Sequence, residues 1–302
     1  MKPGDILLAL LVISIWGGNF AAMRFGAQEL PPYLLLGLRL TAASAALVWF
    51  VKSPRGIVLP LILISTTLCT LHFGLGLVGV QYIEAGTGAL AMQTSVPFAA
   101  LIAWLLFRES FGWRRWAGLI IAFAGIAIIS GMPQIGKHPG MFLIMIVSAF
   151  FFAVATVQIK RLGRTDYMSV NAWITIFGAP QAFLVSWIFE SGQAQALSEA
   201  TLLVYGTVFY MALFAGVIGQ GFWYRLVQLY PTNQVMPFTI LVPVMAVLFG
   251  ILLLGETLSW QLALGGVITI AGVAIIVLRS PEIRREEASR RPKTPETDLT
   301  PP

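Results

Sequence analysis

The chain has 302 residues, of which 58% are hydrophobic and 11% charged, with a formal net charge of +6. Soluble domains carry about a quarter charged residues. With a mean hydropathy of +0.84, most side chains must face lipid or one another, which excludes a water-soluble enzyme and indicates a polytopic membrane protein. The single cysteine, Cys69, excludes an intrachain disulfide framework and argues against a cysteine-rich metal or cluster site.

Cutting the chain wherever charge, Pro and Gly interrupt the apolar runs predicts ten spans of about 20 residues. They run near 5–25, 32–51, 57–80, 86–107, 113–131, 139–159, 169–189, 199–224, 233–254 and 260–278. The first run has Lys2 and small residues at Ala21 and Ala22, as a signal peptide would, but it exceeds an ordinary h-region and is taken as a span. Beyond Arg279 the composition turns to Pro, Arg, Glu and Thr, so residues 279–302 are expected to be a disordered cytoplasmic tail.

Basic residues set the orientation. Lys2, Lys52, Arg55, Arg108, Arg114, Arg115, Lys160, Arg161, Arg164, Arg225 and the tail bases fall on one side. Only Arg24 and Lys137 fall on the other, and Arg39 lies within the second span, towards its inner end. Both termini are therefore expected in the cytoplasm, with the basic tail against the anionic inner leaflet rather than a nucleic acid.

An internal repeat organises the spans. ESFGWRRWAGLIIAFAGIAII around Glu109 matches ETLSWQLALGGVITIAGVAII around Glu256. At one fixed offset Glu109 pairs with Glu256, Trp113 with Trp260, Gly118 with Gly265 and Gly125 with Gly272. Pro97 and Pro243 match within one residue, and a weaker echo pairs Gly4 with Gly140 and Arg24 with Lys160. Two units of five helices follow, residues 4–131 and 139–278. Because five is odd, the second enters the membrane from the opposite side. The expected fold is all-α and integral to the membrane, with ten transmembrane helices in two inverted-topology five-helix repeats. That arrangement is the signature of an alternating-access carrier.

The segments LLALLVISIWGGNFAAMRFG and LPPYLLLGLRL, with the two E-x-x-x-W-x-x-x-x-G elements, closely resemble the EamA branch of the drug/metabolite transporter superfamily. Trp16, Gly17, Asn19 and Phe20, Leu38-Arg39, and the Leu-Val-Pro at 241–243 carry the resemblance, which extends to about Leu278. It implies a multi-pass carrier of the bacterial inner membrane, often an exporter of amino acids and related metabolites.

Polar groups deep in a span are costly unless they are paired or line a wet cavity. The substrate-cavity candidates are Trp16, Asn19, His72, Tyr82, Gln93, Thr94, Gln158, Trp173, Tyr210, Gln220 and Tyr224. Each tryptophan also fits plain packing, and His72 a lone packed histidine. Arg39 reads as a partner for a carbonyl or a helix terminus. The run Gly74 to Gly79 spells a dinucleotide fingerprint, but no strand precedes it, so it reads as helix packing.

Every carboxylate falls at a span end, in a loop or in the tail, so the midplane acid usual for a proton-coupled cation carrier is missing. No cluster of mid-span bases suits phosphates. An amide, hydroxyl and aromatic lining suits a neutral or zwitterionic solute with an apolar portion, an amino acid above all, including aromatic or other bulky neutral ones. The function expected is facilitative export of such metabolites; the alternative is a multidrug or lipophilic-cation exporter of the same superfamily. The two histidines share no motif with an acid, so no enzyme, cofactor or metal is expected. Pro97 and Pro243, in repeat-related helices, are candidate hinges. The expected partners are the small-molecule substrate and the bilayer, with the protein a monomer, since both halves of a pathway lie in one chain.

Overall fold

A computed structural model of the chain describes residues 1–51, 53–54, 56–107, 113–162, 166–230 and 232–278. Glu109, the loop bases Lys52, Arg55, Arg108 and Arg164, and the tail 279–302 lie outside the described residues. Among the described residues the chain is helical without strands. The long helices are α1 (Pro3–Glu29), α2 (Pro32–Leu47), α3 (Val58–Val80), α4 (Ala85–Leu106) and α5 (Trp113–Ser130). After them come α6 (Pro139–Arg161), α7 (Tyr167–Phe189), α8 (Leu202–Val227), α9 (Met236–Leu254) and α10 (Trp260–Leu278). Eight of these are long and apolar enough to cross a membrane, and α2 and α5 are shorter apolar helices. The 16 residues of α2 rise about 24 Å, and a 3₁₀ turn, Val48–Phe50, lengthens it.

Apolar residues coat the outside as well as the core. Leu59, Leu202, Leu252 and Val267 are well exposed, as residues facing acyl chains would be. Trp49, Trp113, Trp187 and Trp260 stand exposed at helix ends, where aromatic rings mark bilayer interfaces.

Contacts fix the helix directions. On α5 and α10, Gly118 packs against the Gly272 carbonyl and Gly125 against that of Gly265, so these helices, which carry the matching repeat motifs, run antiparallel. A Cβ on Gly272 would fall on the Ala122 backbone nitrogen, so the glycines here permit a close backbone approach that alanine would block. On α2 and α7, Gly37 meets Phe183 and Leu40 meets Gly178, again antiparallel. Further neighbours exchange in pairs: α1 packs along α9 as α4 packs along α6, and α3 meets α6 as α8 meets α1. Each of these pairings maps onto itself or another when the halves are swapped, as an inverted repeat requires.

Candidate functional site

Two wide-turn segments sit mid-helix in equivalent places, Thr66–Gly74 in α3 and Tyr210–Gly219 in α8. A π-helical stretch loosens the carbonyl ladder, and such stretches recur at functional sites. Side chains from other helices satisfy the exposed carbonyls. In α3, Tyr33 from α2 donates to the Thr70 carbonyl at 3.1 Å, and the Ser148 hydroxyl from α6 donates to that of His72 at 2.7 Å. In α8, Asn171 from α7 donates to the Gly216 carbonyl at 3.2 Å, and Trp16 from α1 to that of Ala215 at 3.3 Å. The donors come from α2 and α6 in one case and from α7 and α1 in the other, helices that the sequence matches place in corresponding positions.

Around α3 the polar groups interlock. His72 Nδ1 lies 3.0 Å from Ser148 Oγ, and its ring rests between Phe73 and Phe152 at 4.7 and 4.8 Å. Thr67 donates to Gln158 Oε1 at 2.6 Å and Thr70 to Gln181 Oε1 at 2.9 Å. Around α8, Tyr210 donates to the Ile15 carbonyl at 2.8 Å and stacks on Phe214, while Trp16 lies against Trp223 at 5.2 Å. Hydroxyl, amide and ring groups dominate both faces.

Two atoms break this satisfaction. Arg39 is 6% exposed, with its guanidinium 4.6 Å above the Phe73 ring, and its Nη1 is buried without a hydrogen-bond partner. The expected pairing with a carbonyl or helix terminus is therefore corrected. Arg39 also lies midway along α2, level with Phe73, rather than towards the inner end. A lone arginine at bilayer depth costs about 2.5–3.5 kcal/mol on insertion scales, whereas a cation–π contact returns up to about 2 kcal/mol. The second atom is Asn19 Oδ1, buried and unpartnered, whose amide nitrogen contacts Met23 Sδ at 3.2 Å.

The end of the bundle where α1 and α9 finish is wired differently. Gly255, at φ +66°, turns the chain after α9 in a conformation that suits glycine, and Glu256 folds back beside it. The Glu256 carboxylate takes Arg24 Nη1 at 2.9 Å and the Ala85 and Gly86 amides at 2.6 and 3.3 Å, so it neutralises α1 and caps α4 at once. Glu190, after α7, accepts from the Tyr33 and Leu34 amides and caps α2. Both second-half carboxylates thus cap first-half helices. Glu84 stands next to this cluster; burial first, then the Glu256 charge, pushes its carboxyl above the ordinary range, and Arg24 opposes the shift. At the opposite end Tyr230 joins Asp5 Oδ2 at 2.6 Å and the Lys2 amide at 3.2 Å.

The candidates read from sequence divide accordingly. His72 and Gln158 meet the α3 cluster, and Trp16 and Tyr210 the α8 cluster, with Gln220 and Tyr224 further along that helix. Trp173 stacks on Phe177 at 5.7 Å. Gln93 and Thr94 form the break in α4, and the 3₁₀ segment Met236–Leu241 at the start of α9 is its counterpart; buried Pro97 and Pro243 follow these two segments. Tyr82 stands apart, 47% exposed beyond the end of α3 against His138. Sequence reasoning missed Ser148, Thr67, Thr70 and the Arg24–Glu256 tie, since hydroxyls and end charges give no periodic signal. The fingerprint run proves to be packing: Gly74 lies against Tyr33 and Gly79 against Met145. Among the described residues no group of three or more His, Cys, Asp and Glu side chains is placed to hold a metal.

The family model described as EamA-like transporter family matches residues 4–131 and 139–278. The chain is 29% identical over 289 residues to a protein of Salmonella typhimurium (strain LT2) named probable amino-acid metabolite efflux pump, covering 92% of this chain and 96% of that one. A protein of Escherichia coli (strain K12) with the same name is 27% identical at the same coverage. An uncharacterized transporter of Archaeoglobus fulgidus is 29% identical over 285 residues, covering 90% and 97%. A solved structure 17% identical aligns with a TM-score of 0.61 over 92% of this chain and 99% of its own, which shows a shared fold. The chain belongs to the EamA-like transporter family and is a multi-pass membrane protein.

Proposed function

We propose, with membership of this transporter family as premise, that the protein is an inner-membrane carrier that exports amino acids and related metabolites by alternating access. Ten helices cross the bilayer as two inverted repeats, residues 4–131 and 139–278, with both termini in the cytoplasm and no bound cofactor. The protein works as a monomer and moves its solute down the prevailing gradient. The observation that carries the reading is the exchange of helix partners and π-segment contacts between the halves, since two equivalent halves can trade conformations around a central site. Trp16, Asn19, His72, Gln93, Thr94, Gln158, Trp173, Tyr210, Gln220 and Tyr224 line the route. Pro97 and Pro243, each just past a helix break, let α4 and α9 bend in turn. The amide and aromatic lining suits a zwitterion with an apolar side chain, and the names of the Salmonella and Escherichia relatives support the same class.

Uptake of a panel of labelled amino acids into liposomes containing the purified protein, with and without a proton gradient, tests this. Saturable uptake of several amino acids regardless of the gradient is expected. Transport of a lipophilic cation with no amino-acid uptake would replace the reading with that of a drug carrier.

A further inference from the structure

We infer that Glu256 is a latch that holds one end of the transport route shut, and that the structure is the conformer closed at that end. This rests on the alternating-access reading above and assigns its closing step to one carboxylate.

Helix packing sorts the middle of the molecule into two groups that the repeat exchanges. α1 packs on α8 and α9, and α6 packs on α3 and α4. A route between equivalent halves runs along the seam where these groups meet, and it opens at either end as they rock. At the end where α1 and α9 finish, the seam is filled: α1 meets the close of α3 and the opening of α4, and the opening of α4 lies on α9. A Cβ on Gly86 would stand 3.1 Å from Val247 Cα. Exchanging the halves would bring α6 against the close of α8 and the opening of α9, and that opening against the second part of α4. Among the described residues no comparable packing is made there. The halves are equivalent in architecture and unequal in contact, as in a carrier resting in one of its two states.

Glu256 sits across the filled part of the seam. Its side chain is 7% exposed and pairs on its own side with Arg24 of α1 at 2.9 Å. Across the seam it accepts from the Ala85 amide at 2.6 Å and the Gly86 amide at 3.3 Å. Both sides present positive charge to it, since a helix start exposes unpaired N–H groups. Gly250 makes the seat, because a Cβ there would fall on Glu256 Oε2. When the groups part, Arg24 leaves with Glu256 and the freed amides pass to water, so opening strands no charge and the contact can break in every cycle. Glu190 gives the contrast. It also accepts from two amides, those of Tyr33 and Leu34, but α2 and α7 are joined along their length through Gly37 with Phe183 and Leu40 with Gly178, so that cap spans no seam.

The test locks the seam and then loosens it, in the full chain. A Cβ at position 86 stands 3.3 Å from Val247 Cβ, near the range of about 3.5–4.5 Å that a disulfide spans; Cys69, 1% exposed, stays out of reach. Protein carrying Gly86→Cys with Val247→Cys should cross-link in liposomes, lose labelled phenylalanine uptake on oxidation and regain it with dithiothreitol. In nanodiscs, where both faces meet the reagent, protein carrying Val247→Cys should react with a charged methanethiosulfonate about 10-fold faster once Glu256→Gln is added, since a hydrogen bond to a charged acceptor is worth about tenfold more than one to a neutral acceptor. Glu190→Gln should lower the melting temperature yet leave that rate unchanged, which separates a latch from a helix cap. Failure of the pair to cross-link, or a labelling rate that Glu256→Gln leaves unchanged, overturns the assignment. Amino-acid uptake that survives oxidation removes the latch and keeps the carrier. Glu256-dependent labelling in a protein that takes up no amino acid keeps the latch and removes the amino-acid reading.

Discussion

Arg24 and Arg39 lie on neighbouring helices of one repeat and are handled in opposite ways. Arg24, near the C-terminal end of α1, meets Glu256, and that carboxylate also takes two amides at the start of α4. Arg39, midway along α2, has an aromatic face on one side and a buried Nη1 with no partner. Arg24 is neutralised by a carboxylate from the other end of the sequence, whereas among the described residues no such partner meets Arg39. The same division separates the two regions, since the end around Glu256 and Glu190 is tied through carboxylates and the middle holds hydroxyls, amides and rings.

The contrast yields graded expectations. Glu256→Ala should have the largest effect on stability, because it strands Arg24 and uncaps α4 together; loss of about 3–5 kcal/mol is expected for breaking a buried pair, read as a lower melting temperature of the purified protein. A loss below about 1 kcal/mol would mean the Arg24–Glu256 tie is ornamental. Gly272→Val comes next, at about 1–3 kcal/mol, because its Cβ would fall on the Ala122 backbone, which cannot rotate away; thermal unfolding in detergent would register it.

A pH effect is smaller. The Glu84 carboxyl is raised by burial and by Glu256, so the folded protein holds this proton more tightly than the unfolded chain does. Stability from this group is present at acidic pH and is lost as pH rises from the ordinary carboxylate value through the raised one. Melting temperatures across that window should show an acid-side gain that Glu84→Gln removes, and an identical pH profile in the variant would contradict it. Tyr82→Phe should do least, within about 0.5 kcal/mol and with unchanged amino-acid KM, since Tyr82 is half exposed and packs its ring on His138 away from the polar clusters.

Much of this architecture is legible in the sequence because a bilayer forces apolar runs of fixed length and a duplication leaves matched motifs. Gly118 with Gly265 and Gly125 with Gly272 match in the sequence, and in the structure the two helices that carry them cross antiparallel, the relation that the expected inversion would require. The α8 helix runs on past the expected end near 224, because Gln220 to Leu229 continues helically across an amphipathic stretch that an apolar-run criterion truncates. The π segments were not legible, since Thr66–Gly74 and Tyr210–Gly219 contain no helix breaker other than glycine. Arg39 was visible as the one base inside a span, yet its lack of a partner is a property of burial and distance that no spacing encodes.

The most direct measurement follows uptake of labelled phenylalanine by liposomes containing the purified protein, with and without a proton gradient. The account predicts saturable uptake that the gradient leaves unchanged. No uptake of phenylalanine or any other amino acid, alongside transport of a lipophilic cation, would contradict it.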